Sequence, residues 1–141
     1  MTAIVVCCHA KLASAFVETA ALILGGKKQL YAVDFPADQR PEALTEAIVG
    51  VIEASGAERV LVLTDLYGAS PANAAAAALL RVLAETTILS GVNLAAVLEA
   101  ALSAKTADTL CSLAERVRAA AQAGIRPVTR RMLESAMGSN A

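Results

Sequence analysis

Unbroken apolar runs alternate along the chain with segments in which apolar residues recur every three or four positions. Ala3 to Cys8 is a short apolar run ending on a polar residue, the pattern of a parallel strand buried on both faces. Leu12 to Leu24 carries Leu12, Phe16, Ala20 and Ile23 at helical spacing, and Gly25-Gly26 ends it. Gln29 to Phe35 reads as a second, more polar strand. Pro41 to Ala54 reads as a helix with Leu44, Ile48, Val51 and Ile52 on one face, closed by Gly56. Val60 to Thr64 is a third strand with Asp65 at its carboxyl end and a tight turn at Gly68. A helix is expected to open at Ser70-Pro71, with Ser70 as N-cap and Pro71 at the first helical position, and Ala74 to Ala78 favour its continuation. Thr86 to Ser90 is a fourth strand, Gly91-Val92-Asn93 its exit loop, and Leu94 to Ser103 a helix. Thr106 to Ala123 is expected as one further helix, with Leu110, Leu113, Val117 and Ala121 on its apolar face and Gly124 as its stop. Ile125 to Thr129 suits a short strand that Pro127 confines to an edge, and Met132 to Met137 an added helix. Residues 1–137 read as a single domain, and 138–141 as a disordered tail.

Strands alternating with helices predict an α/β fold with a mostly parallel sheet. Right-handed crossovers leave the doubly wound order 2-1-3-4 as the simplest topology for this length. Strands one and three are then neighbours where the winding reverses, and chemistry in such sheets sits outside the carboxyl ends of the strands at that point. His9 stands at the carboxyl end of strand one and Asp65 at that of strand three. Neighbouring parallel strands lie ~4.8 Å apart, so imidazole and carboxylate can meet.

Composition narrows the classes. At 141 residues, the chain is long enough for one well-filled core. The hydrophobic share of 57% raises the question of a membrane protein. Alanine accounts for much of it, and no apolar run approaches the ~18 residues of a spanning helix. Direct membrane insertion is therefore not expected. Twelve basic against thirteen acidic residues, with no long block of one sign, argue against nucleic-acid or membrane-surface binding. The chain opens on a strand with neither a basic n-region nor a cleavage site, so no export signal is expected. Three cysteines, two of them adjacent, suit a reducing cytoplasm better than a disulfide scaffold.

His9 is the sole histidine. A carboxylate beside it can accept a proton from one ring nitrogen, which fixes the tautomer and leaves a lone pair on the other. That makes His9 a candidate general base, metal ligand or nucleophile, against the plainer reading of a satisfied structural histidine. Cys7, His9 and Asp65 offer at most three metal ligands, and their spacing matches no zinc pattern. Cys8 and His9 point to opposite faces of their strand. No metal site is expected. Without a Gly-x-Gly-x-x-Gly after strand one, a dinucleotide site is not expected either.

Ile4-Val-Val-Cys-Cys-His9, Asp34-Phe35, Asp65-Leu-Tyr-Gly-Ala-Ser-Pro-Ala-Asn73 and Gly91-Val-Asn-Leu94 together resemble the IIA component of the mannose/fructose class of phosphoenolpyruvate-dependent sugar phosphotransferase systems, over roughly residues 1 to 130. That family has a strand-end histidine, an Asp-x-x-Gly-Gly-Ser-Pro-x-Asn loop and a Gly-Val-Asn segment in this order. The resemblance implies a phosphocarrier serving sugar transport or regulation. His9 accepts a phosphoryl group from the phosphohistidine of the carrier HPr and passes it to a IIB component. Asp65 matches the family's histidine-orienting acid and Ser70 its phosphate-contacting serine.

N–H groups of Gly68, Ala69 and Ser70 at the helix start are expected to bind the phosphoryl oxygens, with Asn73 and Asn93 in support. Ser70-Pro71, Asp65, Asn73 and Asn93 also have purely local readings, as caps and loop ties. Histidine-to-histidine transfer needs no metal, nucleotide or other cofactor. The resemblance also implies a homodimer in which the terminal strand crosses to complete the partner's sheet. Three positions depart from the family's usual residues: Ala10 and Ala69 replace glycines, and Ala95 replaces a proline. The added methyls can narrow the site or shift the loop if those positions need φ > 0. Two other readings stand beside this one. One is a non-catalytic regulatory or small-molecule-binding domain, since fold alone does not fix function. The other is the phosphocarrier of a dihydroxyacetone kinase system, whose loop lacks the Gly-x-Ser-Pro-x-Asn pattern.

Overall fold

In a computed structural model describing residues 1–26 and 29–138, the elements follow in the order β1 (Thr2–His9), α1 (Leu12–Leu24), β2 (Leu30–Phe35), α2 (Pro41–Ser55), β3 (Arg59–Thr64), α3 (Ser70–Leu79), β4 (Glu85–Ser90), α4 (Leu94–Ser103), α5 (Leu110–Ala123) and α6 (Arg130–Gly138). The four strands form one parallel sheet in the order β2-β1-β3-β4, the topology expected from the alternation. The apolar run of β1 splits by alternation between two cores. Ile4, Val6 and Cys8 pack with α1, α4 and α5, while Ala3, Val5 and Cys7 pack with α2 and α3. This two-sided burial is why the strand tolerates almost no polar residue before His9. The described residues include no helix long and apolar enough to cross a membrane.

Several element ends differ from expectation, most by one residue, and three of them have a visible cause or consequence. The helix expected over Thr106 to Ala123 begins at Leu110. Thr109 and Ser112 form a reciprocal capping box there: the Ser112 N–H donates to Thr109 Oγ1 (3.0 Å), and the Thr109 N–H to Ser112 Oγ (3.2 Å). The residues ahead of it turn inward and bury Ala104 and Ala107. At α3 the cap is Ala69, not Ser70, because the Ala69 carbonyl already accepts the first helical bond from the Asn73 N–H (3.0 Å). Ser70 is therefore the first helical residue and Pro71 the second.

The third difference is at the carboxyl end. Residues 125–129, expected as an edge strand, join no ladder among the described residues. α6 follows, longer than the Met132 to Met137 expectation, with a Thr129 Oγ1 bond to the Met132 N–H and an Arg130–Glu134 ion pair of 2.6 Å. It buries no residue, and Met132, Leu133 and Met137 stand exposed. Of the tail expected over 138–141, Gly138 is the last residue of α6 and the rest lies outside the described residues.

Candidate functional site

The winding reversal between β1 and β3 brings His9 and Asp65 together. The β1–β3 register pairs Cys7 with Thr64, so Asp65 leaves β3 level with Cys8, one residue short of His9. His9 Nδ1 lies 2.8 Å from Asp65 Oδ2, and the His9 backbone N–H donates to the same oxygen at 3.0 Å. The other carboxylate oxygen, Oδ1, accepts the Leu66 N–H at 3.0 Å. Asp65 is thus held at both oxygens by donors. Its side chain is 12% exposed and that of His9 41%, so the acid is sheltered beneath a ring that solvent or a partner can reach. Partial burial by itself pushes the Asp65 pKa up, but the bonds from the His9 backbone and ring, with the ring's charge, outweigh it. The carboxyl stays below the ordinary aspartate range and is ionised at neutral pH. A carboxylate can only accept, so Nδ1 carries a proton, and in the neutral ring that leaves Nε2 as the nitrogen with the lone pair.

The neighbouring thiols do not compete. Cys7 and Cys8 are fully buried, and burial, reinforced by the Asp65 charge, pushes both up to about 12. Both stay protonated at neutral pH and are poor nucleophiles.

The Asp65–Ala69 loop is fixed from within. Gly68 has φ +74°, a left-handed position that suits glycine. The Asn73 side-chain N–H donates to the Gly68 carbonyl at 3.1 Å, the local loop tie its spacing allowed. Below, Thr64 and Ser90 share a 2.7 Å hydroxyl contact, and the Thr64 carbonyl accepts from Gly91 and Val92, anchoring the end of β3 to β4. Ser70 presents an Oγ with no hydrogen-bond partner among the described residues. No side chain caps α3, which leaves the Ser70 and Ala72 N–H groups at an open helix start. Asn93 is engaged elsewhere. Its Oδ1 caps α4 through the Ala96 N–H (3.0 Å), and its Nδ2 donates to the Ala121 carbonyl of α5 (2.9 Å).

The three departures separate physically. Ala69 is extended (φ −85°), so its methyl meets no backbone strain. Ala95 lies within the first turn of α4. Ala10 sits at φ +51°, in the left-handed region. A non-glycine residue there costs about 1–2 kcal/mol, against the 0.5–1 kcal/mol by which glycine ordinarily weakens regular structure. Ala10→Gly is therefore expected to raise stability, by up to about 1 kcal/mol, where Ala→Gly normally lowers it. Denaturant unfolding of the two proteins checks the sign.

Residues that sequence reasoning did not assign also gather here. Asp34 accepts the Ser14 N–H (2.9 Å) and the Ser14 hydroxyl (2.5 Å). Phe35 stands edge-on to the His9 ring with centroids 6.0 Å apart. Tyr67 is 93% exposed in the loop beside Asp65. The carboxyl-end position of Asp34 was readable, but its bond to Ser14 depends on the β1–β2 register, in which Cys8 faces Asp34.

Comparison with known proteins gives a consistent picture. Residues 3–118 match the family described as PTS system fructose IIA component. A sorbose-specific EIIA component of a PTS system from Lacticaseibacillus casei is 33% identical over 96 residues, spanning 68% of this chain and 69% of that protein. The crystal structure of phosphotransferase system component EIIA from Streptococcus agalactiae superposes with a TM-score of 0.83 at 25% identity, over 90% of this chain and 97% of that one. A mannose/sorbose-specific IIA subunit from Enterococcus faecalis shares the fold, with a TM-score of 0.78 at 23% identity over 91% and 95% of the two chains.

Proposed function

Because the chain belongs to the family of PTS fructose IIA components, phosphotransferase components of sugar phosphotransferase systems, we propose that it is a phosphocarrier whose acceptor atom is His9 Nε2. The observation that carries this reading is the 2.8 Å contact from Nδ1 to an ionised, doubly held Asp65, with the ring's other edge in the open. The Nε2 lone pair attacks the phosphorus of a phosphohistidine on HPr, in line with the N–P bond that breaks. The new Nε2–P bond forms as the donor imidazole leaves with its electron pair. His9 keeps its Nδ1 proton, so the phosphorylated ring is cationic and Asp65 balances its charge. We assign the phosphoryl oxygens to the N–H groups at the open start of α3, which follows the Asp65 loop, and to the Ser70 hydroxyl. A nucleophile of a IIB component then attacks the phosphorus, and the Nε2–P bond breaks as the His9 imidazole leaves with its electron pair. No metal or cofactor enters either step, and both take place on the cytoplasmic side. Incubation with enzyme I, HPr and phosphoenolpyruvate tests the reading: the protein gains the mass of one phosphoryl group, and a pure binding domain gains none.

The same reading includes a homodimer. The 125–129 segment carries Pro127 and joins no strand among the described residues, β4 is an outer strand with half-buried side chains, and α6 leaves Met132, Leu133 and Met137 exposed. A crossing segment that pairs with the partner's β4 edge, followed by α6 covering apolar surface, answers all three. Sedimentation at micromolar concentration should find a dimer, and truncation after Gly124 should dissociate it. A monomeric full-length protein, or association that survives truncation, contradicts this.

A further inference from the structure

The turn that carries His9 is held from one side by the end of β2. Ala10 and Phe35 exchange backbone hydrogen bonds, the Ala10 N–H to the Phe35 carbonyl at 2.8 Å and the Phe35 N–H to the Ala10 carbonyl at 3.2 Å. One residue back, Asp34 reaches Ser14, the third residue of α1, through both carboxylate oxygens (2.9 and 2.5 Å). Phe35 then sets its ring edge-on to the imidazole. Between these anchors Ala10 is kept at φ +51°, a conformation alanine holds only where its surroundings impose it. α1 has no cap of its own, since Lys11 stands at the N-cap without a side-chain bond. Asp34 supplies that cap from another element, and its charge lies where the helix dipole favours an anion.

We propose that Asp34 is a positioning residue for phosphoryl transfer. By fixing the start of α1 against β2 it holds Ala10 in its strained conformation, and so aims the His9 ring at Asp65. It also caps the N-terminus of α1, whereas the start of α3 has no side-chain cap. Hydrogen-bond geometry at Ser14, more than the charge, does the positioning. Asparagine can keep both bonds, accepting the Ser14 N–H through Oδ1 and donating to Oγ through Nδ2. Alanine keeps neither.

This inference rests on the phosphocarrier reading, and its test separates the two. With phospho-HPr as donor, Asp34→Ala should lower kcat roughly tenfold with KM little changed, the scale of a modest misplacement of a reacting group. Asp34→Asn should stay within about threefold of the native rate. Ala10→Gly placed in the Asp34→Ala background should recover most of the loss, because glycine accepts φ +51° unaided. Should Asp34→Ala not fold, Ser14→Ala removes only the hydroxyl contact and should cost roughly threefold.

A second readout needs no phosphotransfer. With nitrogen-15 in the one histidine, the native ring should show a single tautomer protonated at Nδ1, and Asp34→Ala an averaged pair of nitrogens. An unlabelled native protein defeats the phosphocarrier reading while the ring spectra still decide the role of Asp34. A native-like ring in folded Asp34→Ala, a loss confined to KM, equal losses in the alanine and asparagine variants, or no recovery with glycine at position 10 overturns the proposal.

Discussion

Asp65→Asn should slow phosphorylation of His9 by about two orders of magnitude while leaving the sheet and helices in place. The native carboxylate accepts at both oxygens: Oδ2 takes the His9 backbone N–H and Nδ1, and Oδ1 takes the Leu66 N–H. An asparagine amide cannot satisfy this set in either orientation. With its oxygen toward His9, the NH2 group faces the Leu66 N–H, donor against donor. With the NH2 toward His9, it clashes with the backbone N–H and offers a proton to Nδ1. That favours the tautomer in which Nε2 is protonated and has no lone pair for phosphorus.

Removing the carboxylate also removes the counter-charge to the phosphorylated, cationic ring. The misfit should lower stability by about 1–2 kcal/mol at neutral pH, the scale of one unmet hydrogen bond. Since folding holds the Asp65 pKa below its ordinary 3.8, the native advantage over the variant is complete above that value. It fades as the pH falls through the lowered pKa. Stopped-flow transfer from phospho-HPr reads the rate, and unfolding at neutral and acid pH reads the stability. An unchanged rate would mean that another group orients His9.

This site was legible in the sequence because two strand ends carry it. The unbroken run of β1 places His9 at a carboxyl end, the run of β3 does the same for Asp65, and the handedness of crossovers makes the two strands neighbours. What stayed hidden depends on contacts that periodicity does not encode. Ser70 has the side chain of an N-cap, yet the Ala69 carbonyl accepts the Asn73 N–H and starts the helix one residue earlier. The helix expected from Thr106 instead starts after Thr109, whose capping box with Ser112 marks the start of α5. Asn93 carried the resemblance to a site segment, while its amide ties α4 to α5. Asp34 reaches Ser14 only once β2 lies in register against β1. Ile125 to Thr129 has strand-like residues but pairs with no strand among the described residues.

His9→Ala should abolish labelling altogether, the largest effect expected of any single substitution here. The chain has no second imidazole to take over, and the adjacent thiols are buried and protonated. Ser70→Ala removes a hydroxyl that can contact the phosphoryl oxygens but leaves the helix-start N–H groups in place, so it should weaken labelling without abolishing it. The adduct should be labile in acid and stable in base, as a phosphorus–nitrogen bond is and a phosphoserine is not. The proposed mechanism requires that Asp65 reserve Nδ1 and free Nε2. Nitrogen-15 spectra of the ring-labelled, phosphorylated protein test it most directly. The phosphorus coupling should appear on Nε2, with Nδ1 still protonated toward Asp65. Phosphorus coupled to Nδ1, or phosphate retained by the His9→Ala protein, would contradict the mechanism.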